Sequence, residues 1–330
     1  MTPQTATALH PPDSNGLDPE TISKAFAEQV LEGLASHPKR IPSTWFYDHR
    51  GSELFEQITE LNEYYLTRTE TALLRSLQTD LARLPAGAAV IEFGSGSSRK
   101  TPLLLDALQA PASYTAIDIS GDFLRQSVRG LQLRYPQMNV QTLEADFTAP
   151  LTWPAALEAA VRHQPRIGFF PGSTIGNFTP EQAVRFLHGA AQFLGPGAQL
   201  LVGVDGTQDK ARLLPAYDDA RGVTAAFNRN LLIRINRELG ADFNPQAFRH
   251  VARFDTARSR IEMHLLSPTP QTVRLLGQRF TFAEGETLHT ENSYKYPVAM
   301  FQRMAHASGW TPHQHWLAPG ADVALHWLQC

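Results

Sequence analysis

The chain has 330 residues, 42% of them hydrophobic and 18% charged, with a formal net charge of -3 and a sequence pI near 6.5. No apolar run approaches the roughly 18 residues that span a bilayer, no basic excess offers itself to nucleic acid, and the single cysteine, Cys330, excludes an intrachain disulfide and cysteine-based metal sites. What remains is an enzyme-like composition suited to a small-molecule substrate, in a chain long enough for two lobes.

Residues 1–18 are polar and Pro-rich, the composition of a mobile arm, and carry no secretory or transit signal, so the cytoplasm is the expected compartment. From 20 to 84 the pattern is helical, with Phe26, Val30 and Leu34 on one face, interrupted at Trp45-Phe46-Tyr47-Asp48 and at Glu63-Tyr64-Tyr65. Between 88 and 206 short apolar runs alternate with helical stretches; the expected strands are 89–93, 114–119, 140–145, 167–170 and 199–204, and a helix over 180–193 closes at Gly195. That rhythm predicts a doubly wound, Rossmann-like α/β sheet, which binds ligands beyond the carboxyl ends of its strands where the strand order reverses. After Asp205 the rhythm stops: a helical stretch over 209–244 gives way to a hairpin at 251–254 and 261–266 and to strand-like sequence at 272–282. Residues 19–68 and 207–295 are therefore assigned to a second, smaller α+β lobe that binds substrate. Residues 69–206 and 296–330 are assigned to the cofactor domain, to which a helix at 298–308 and two strands at 311–317 and 323–328 return as an antiparallel hairpin. With no coiled-coil repeat, the oligomeric state is open and a monomer is compatible with the sequence.

The segment Ile91-Glu92-Phe93-Gly94-Ser95-Gly96-Ser97-Ser98-Arg99-Lys100-Thr101 joins the first strand to a helix, the setting of a nucleotide loop. A phosphate-binding P-loop needs glycine directly before the Lys-Thr pair, and a dinucleotide fingerprint needs a third glycine three positions after Gly96. Arg99 occupies both places, and its bulk blocks the close helix–strand packing that the third glycine permits. An acidic strand end followed by Gly-x-Gly remains, the pattern of S-adenosylmethionine-dependent methyltransferases. The glycines admit a methionine moiety, and Glu92 can accept from its ammonium, directly or through water. Asp118, at the end of the second strand, can accept both ribose hydroxyls; Asp146-Phe147, after the third, offers a carboxylate and an apolar face to adenine. Each Asp alone also fits a helix cap or a turn, and the glycines alone fit a ligand-free turn; their order favours the cofactor.

Five segments, IPSTWFYDHRGSELFEQITELNEYYLTRTE, EFGSGSSRKT, PGSTIGNFTP, AYDDARGVTAAFNRN and IEMHLLS, resemble the L-histidine Nα-methyltransferases of ergothioneine biosynthesis, in the same order and from about residue 25 to the C-terminus. The resemblance implies trimethylation of the histidine α-amino nitrogen to hercynine, with S-adenosylmethionine as methyl donor and no metal. By motif it implies cofactor contacts from Gly94, Lys100, Asp118, Asp146 and Phe147. It implies substrate contacts from Tyr64, Asn177, Tyr217, Glu291 and Ser293, with Met263 lining the imidazole pocket. The residue chemistry agrees: Asn177 and Tyr217 offer neutral donors to a carboxylate, and Glu291 can accept from a ring N–H while Ser293 or Tyr64 serves the other ring nitrogen.

Tyr47 and Asn177 are the candidate catalytic residues. Tyr47 is assigned to contact the amine, although tyrosine is a poor base unless its pKa is lowered. Each assignment has a structural alternative: a turn for Asn177, helix packing for Tyr217, core for Met263, aromatic packing for Tyr47, and an exposed alternating strand for Glu291 and Ser293. Asn62 and Leu66 stand where prolines commonly flank the EYY segment, which predicts a less rigid loop around Tyr64. Two rival functions stay open: methylation of another amino acid or amine, since relatives of this family methylate an indole amino acid, and a non-catalytic regulator that binds S-adenosylmethionine.

Overall fold

A computed structural model of the chain describes residues 19–119, 121–320 and 322–330; the arm expected at 1–18 lies outside them. Helix α1 (Pro19–Ala35) buries Phe26, Val30 and Leu34 along one stripe. The aromatic segment then passes through a 3-10 turn at Ser43–Phe46 into α2 (His49–Thr59), which Asp48 caps by accepting from the Gly51 N–H at 2.7 Å. Helices α3 (Tyr65–Ser76) and α4 (Gln78–Leu81) lead into an alternation of β1 (Ala89–Phe93), α5 (Thr101–Leu105), β2 (Ser113–Asp118), α6 (Gly121–Arg134), β3 (Asn139–Glu144), α7 (Ala155–Val161), β4 (Arg166–Phe170), α8 (Pro180–Leu194) and β5 (Gln199–Asp205). These strands lie within one residue of their expected bounds. Helix α8 starts on a reciprocal Thr179–Gln182 capping box and stops at Gly195, φ 85°.

Beyond β5 come α9 (Lys210–Tyr217), α10 (Val223–Leu239), β6 (Arg249–Asp255), β7 (Arg260–Leu266), β8 (Gln271–Leu275), β9 (Gln278–Phe282), β10 (Thr287–Tyr294), α11 (Val298–Ala307), β11 (Thr311–Leu317) and β12 (Val323–Gln329). The helical stretch expected over 209–244 is thus two helices. Pro215 sits in the first, Gly222 turns the chain at φ 73°, and Asp219 restarts it by accepting from the N–H groups of Val223 and Thr224 at 3.0 and 2.7 Å. The strand-like stretch at 272–282 is a tight hairpin, with Leu276 and Gly277 both at positive φ in its two-residue turn.

The main sheet has the order β11-β12-β5-β4-β1-β2-β3, parallel from β5 to β3, with β12 antiparallel between β5 and β11. Chain direction across the sheet reverses between β1 and β4, so the loops after those two strands part and leave a crevice. A second sheet, β10-β7-β6, is antiparallel. The N-terminal segment joins it: the Ile41 N–H donates to His289 O and the His289 N–H to Lys39 O, each at 2.9 Å. Asp48 also accepts from Asn230 at 2.7 Å and Arg237 at 2.6 Å, which fastens the aromatic segment to α10. Leu54, Leu73, Val90, Leu231 and Met263 belong to one continuous core, so α2, α10 and β7 pack on the main sheet and not beside it. Among the described residues no helix is long and apolar enough to cross a membrane.

Candidate active site

Two cavities meet at the sheet's switch point. The larger, about 210 Å³, runs past the carboxyl ends of β1, β2 and β3 and is lined by Glu92, Gly94, Gly96, Lys100, Asp118, Asp146 and Phe147, the residues that the sequence assigns to a cofactor. Gly94 holds φ 67° and Gly96 φ 49°. A Cβ on Gly94 would stand 3.3 Å from the Phe147 ring, so glycine serves both the left-handed turn and the close approach. The Gly96 N–H donates to Asp118 Oδ2 at 3.1 Å, tying the loop to the neighbouring strand end. Asp146 is a turn residue as well as a cavity residue, since its Oδ1 accepts from the Thr148 N–H at 2.8 Å and hydroxyl at 2.6 Å.

Glu92 Oε2 accepts from the hydroxyls of Thr101 at 2.6 Å and Tyr114 at 2.7 Å, so one oxygen of this carboxyl is fixed within the protein. Burial pushes it up to about 7, against the downward pull of those two bonds and of Lys100. Lys100 pairs with Glu70, whose carboxylate oxygens also accept from the Gly172 N–H at 2.9 and 2.8 Å. A Cβ on Gly203 would fall 1.8 Å from Glu70 Oε1, which is why glycine stands on β5 there. Nothing local in the sequence marks Glu70: it ends the run Leu66-Thr67-Arg68-Thr69-Glu70, and a lone Glu on a helix looks like any solvated one. Arg99, whose side chain excluded the phosphate loops, pairs with Glu56 at 3.1 Å and Glu60 at 3.0 Å and so straps the glycine loop to α2.

The smaller cavity, about 50 Å³, is lined by Tyr47, Tyr64, Asn177, Tyr217, Met263, Glu291 and Ser293, drawn from both ends of the chain. With roughly 10–15 Å³ needed to admit one water, it has room for a small ligand group or a few waters. Both cavities touch Tyr47, Phe55, Tyr64, Gly172, Thr174 and Asn177, which form the passage between them.

On β10 the register against β7 shifts between His289 and Glu291, placing Glu291 opposite Met263. This bulge makes Thr290 and Glu291 consecutive buried residues; the Thr290 hydroxyl bonds Met263 O at 3.0 Å, and Glu291 and Ser293 turn inward, 8% and 4% exposed. The exposed-strand alternative is thereby excluded. Burial pushes the Glu291 carboxyl up to about 8, with Lys295 pulling the other way. Asn177 ends a 3-10 turn that follows Ser173, φ 58°, whose hydroxyl accepts from the Asp205 N–H at 2.9 Å. Tyr217 ends α9, its carbonyl bonded by the His250 ring at 2.8 Å.

Tyr47 lies 5.7 Å from the rings of both Phe55 and Phe227. Burial, together with the nearby Glu291 and Tyr217, raises the phenols of Tyr47 and Tyr64 well above the usual tyrosine range, so neither is a base near neutral pH. The loop before Tyr64 has no flanking proline, but the Arg68 guanidinium donates to Leu61 O and Asn62 O at 2.6 Å and to Tyr64 O at 3.4 Å. Carbonyl bonds there restrain the backbone that proline would restrain by φ. Behind Tyr217 and Ser293 lies Lys295, fully buried on Asp205, a pair with no local mark in the sequence.

A family model described as histidine-specific methyltransferase, SAM-dependent, matches residues 26–330. The histidine N-alpha-methyltransferase of Mycolicibacterium smegmatis is 40% identical over 319 residues, spanning 94% of this chain and 97% of that protein. The histidine N-alpha-methyltransferase of Mycobacterium tuberculosis is 40% identical over 318 residues, with the same coverage of both chains. Ergothioneine biosynthesis protein 1 of Neurospora crassa is 32% identical over 298 residues, 88% of this chain and 33% of that one.

Proposed function

The chain belongs to the histidine-specific, S-adenosylmethionine-dependent methyltransferase family, and on that premise we propose that it methylates the α-amino nitrogen of L-histidine three times to give hercynine, in ergothioneine biosynthesis. The observation that carries this is the small cavity lined by Glu291, Ser293 and Met263, which shares Tyr47, Tyr64 and Asn177 with the crevice of the glycine loop.

The larger cavity fits S-adenosylmethionine. Gly94 leaves a cradle that a Cβ would narrow against Phe147, and Glu92, Asp118 and Asp146 offer acceptors for an ammonium, a ribose and an amino group. Lys100, held by Glu70, lines that cavity without a phosphate loop around it. Bound there, the cofactor supplies an activated methyl group on a sulfonium. The protein's share is alignment and exclusion of water.

Asn177 and Tyr217 donate to the substrate carboxylate without placing a charge beside the reacting nitrogen. Glu291 accepts from one ring nitrogen while the Tyr64 hydroxyl serves the other, Ser293 backs Tyr217, and Met263 fills the side. The amine then sits in the passage, next to Tyr47. Because Tyr47 stays protonated, it orients the amine as a neutral partner, and the amine's proton leaves to solvent. The aromatic walls of Tyr47, Phe55 and Phe227 accept the nitrogen as it gains methyl groups and loses its N–H donors.

Incubation with S-adenosylmethionine and L-histidine, followed by mass spectrometry, is expected to show a gain of three methyl groups. No gain with histidine overturns the assignment. A panel of other amines then separates a different substrate from a protein that binds the cofactor without turnover.

A further inference from the structure

Tyr217 and Ser293 take their polarity from a residue that touches neither cavity. Lys295 follows the end of β10 by one residue and is 0% exposed. Its ammonium donates to Tyr217 Oη at 2.9 Å and to Ser293 Oγ at 3.0 Å, and pairs with Asp205 Oδ2 at 2.9 Å. Asp205 ends β5, is equally buried, and accepts from Tyr65 Oη at 2.6 Å and from the Thr207 N–H at 3.0 Å. The three N–H groups of the ammonium thus meet three acceptors.

Tyr217 Oη and Ser293 Oγ lie 2.7 Å apart and share one hydrogen bond. Each hydroxyl carries one hydrogen. With one lone pair on each oxygen occupied by Lys295, and one hydrogen and one more lone pair used between them, the pair has one O–H and one lone pair left over, and the cavity that both residues line is the outlet for that O–H.

We infer that Lys295, seated on Asp205 and Tyr65, is a positioning residue that keeps one O–H of the Tyr217–Ser293 pair pointed away from itself, so that the ligand group opposite must supply an acceptor for it. This rests on histidine as the substrate, whose carboxylate is the acceptor that Tyr217 meets. The site then has two opposed ends: Glu291 takes an N–H, and the hydroxyl pair gives an O–H. A buried ion pair is a poor stability device, often replaceable by apolar residues without loss. Its seat directly behind two substrate hydroxyls gives it another use.

The test pairs Asp205→Asn with Lys295→Met, which removes both charges together and leaves neither buried alone. Affinity for S-adenosylhomocysteine is measured by calorimetry, and kcat and KM are measured for L-histidine and for L-histidinamide, whose amide donates as well as accepts. Cofactor affinity is expected to stay within about threefold. The KM for histidine is expected to rise about tenfold or more while kcat changes less, the size of a lost hydrogen bond to a charged group. The preference for histidine over histidinamide in kcat/KM is expected to fall about fivefold, because the released hydroxyls can turn and accept. Equal losses on both substrates, or an unchanged KM, overturn the inference in favour of a purely structural pair. If the double variant does not fold, Tyr65→Phe, which removes one bond to Asp205 and no charge, must shift the same preference in the same direction or the inference fails. A wild-type protein inert toward histidine removes the substrate assignment; an active wild type with an unaltered preference in the variants removes only the role of Lys295.

Discussion

Replacing Glu291 by glutamine keeps the shape of a buried carboxyl and removes its charge, with opposite effects on stability and on turnover. Burial lifts this group from an ordinary 4.5 to about 8. A folded-state value above the unfolded one means that the fold prefers the protonated form. The associated stability is fully present below about pH 4.5 and is lost as pH rises to about 8. At about 1.4 kcal/mol per pH unit, that interval amounts to a penalty on the order of 4–5 kcal/mol once the group is ionised in both states. For a chain of this size, with roughly 2 °C per kcal/mol, the ligand-free protein is expected to lose about 10 °C of Tm to this group between pH 5 and pH 8.5. Glu92, pushed up to about 7, acts with the same sign, so the Glu291→Gln variant keeps part of the decline and gains on the wild type as pH rises. With histidine the order inverts. Loss of a hydrogen bond between the carboxylate and a ring N–H costs about 1.5–3 kcal/mol, or roughly 10- to 150-fold in kcat/KM, mostly through KM. Thermal unfolding from pH 5 to 9 and steady-state methyl transfer measure the two effects. Parallel Tm–pH curves for both proteins, together with kcat/KM within threefold of wild type, refute a buried titrating carboxyl at the end of the ring cavity.

Three further substitutions probe the remaining parts of the site. Gly94→Ala forces a side chain into the left-handed region and against Phe147; strain of about 1–3 kcal/mol is expected to weaken cofactor binding by tenfold or more, read by calorimetry, with unchanged affinity as the opposing result. Met263→Phe overfills a cavity of about 50 Å³, so the KM for histidine is expected to rise about tenfold or more at constant cofactor affinity; a proportional loss of both would place Met263 in the general core. Arg99→Ala removes two partly exposed ion pairs between the glycine loop and α2. Such pairs are weak and screened by salt, so cofactor affinity is expected to fall no more than about fivefold, and by less at high ionic strength; a larger loss that ignores salt would mean that Arg99 meets the cofactor directly.

The wound sheet was legible because its causes are local. Apolar runs of strand length, Thr179 and Gln182 at a helix start, and Gly195 at its end act within a few residues, and each expected strand from β1 to β5 lies within one residue of its place. Glu92, Gly94 and Gly96 were legible for the same reason, as a left-handed turn at a strand end. The candidate residues Tyr217, Met263, Glu291 and Ser293 were reached through motif resemblance, not through pattern. The bulge at His289–Glu291 breaks the alternation from which a strand face is read, and Glu291 by period alone stands on an outer face.

From its sequence alone this protein could be read as a wound α/β methyltransferase with a glycine loop at its first strand end, because backbone conformation and strand or helix period are set by near neighbours. Tertiary structure alone decided which charges go inside. Glu70 and Lys295 carry no local mark of burial; what makes burial tolerable is a partner brought from elsewhere, Gly172 lying 102 residues from Glu70, and Asp205, which shields Lys295, being held by Tyr65 from 140 residues away. A charge leaves water only where the fold supplies its counterpart, and that counterpart is a property of the packed chain and not of the segment.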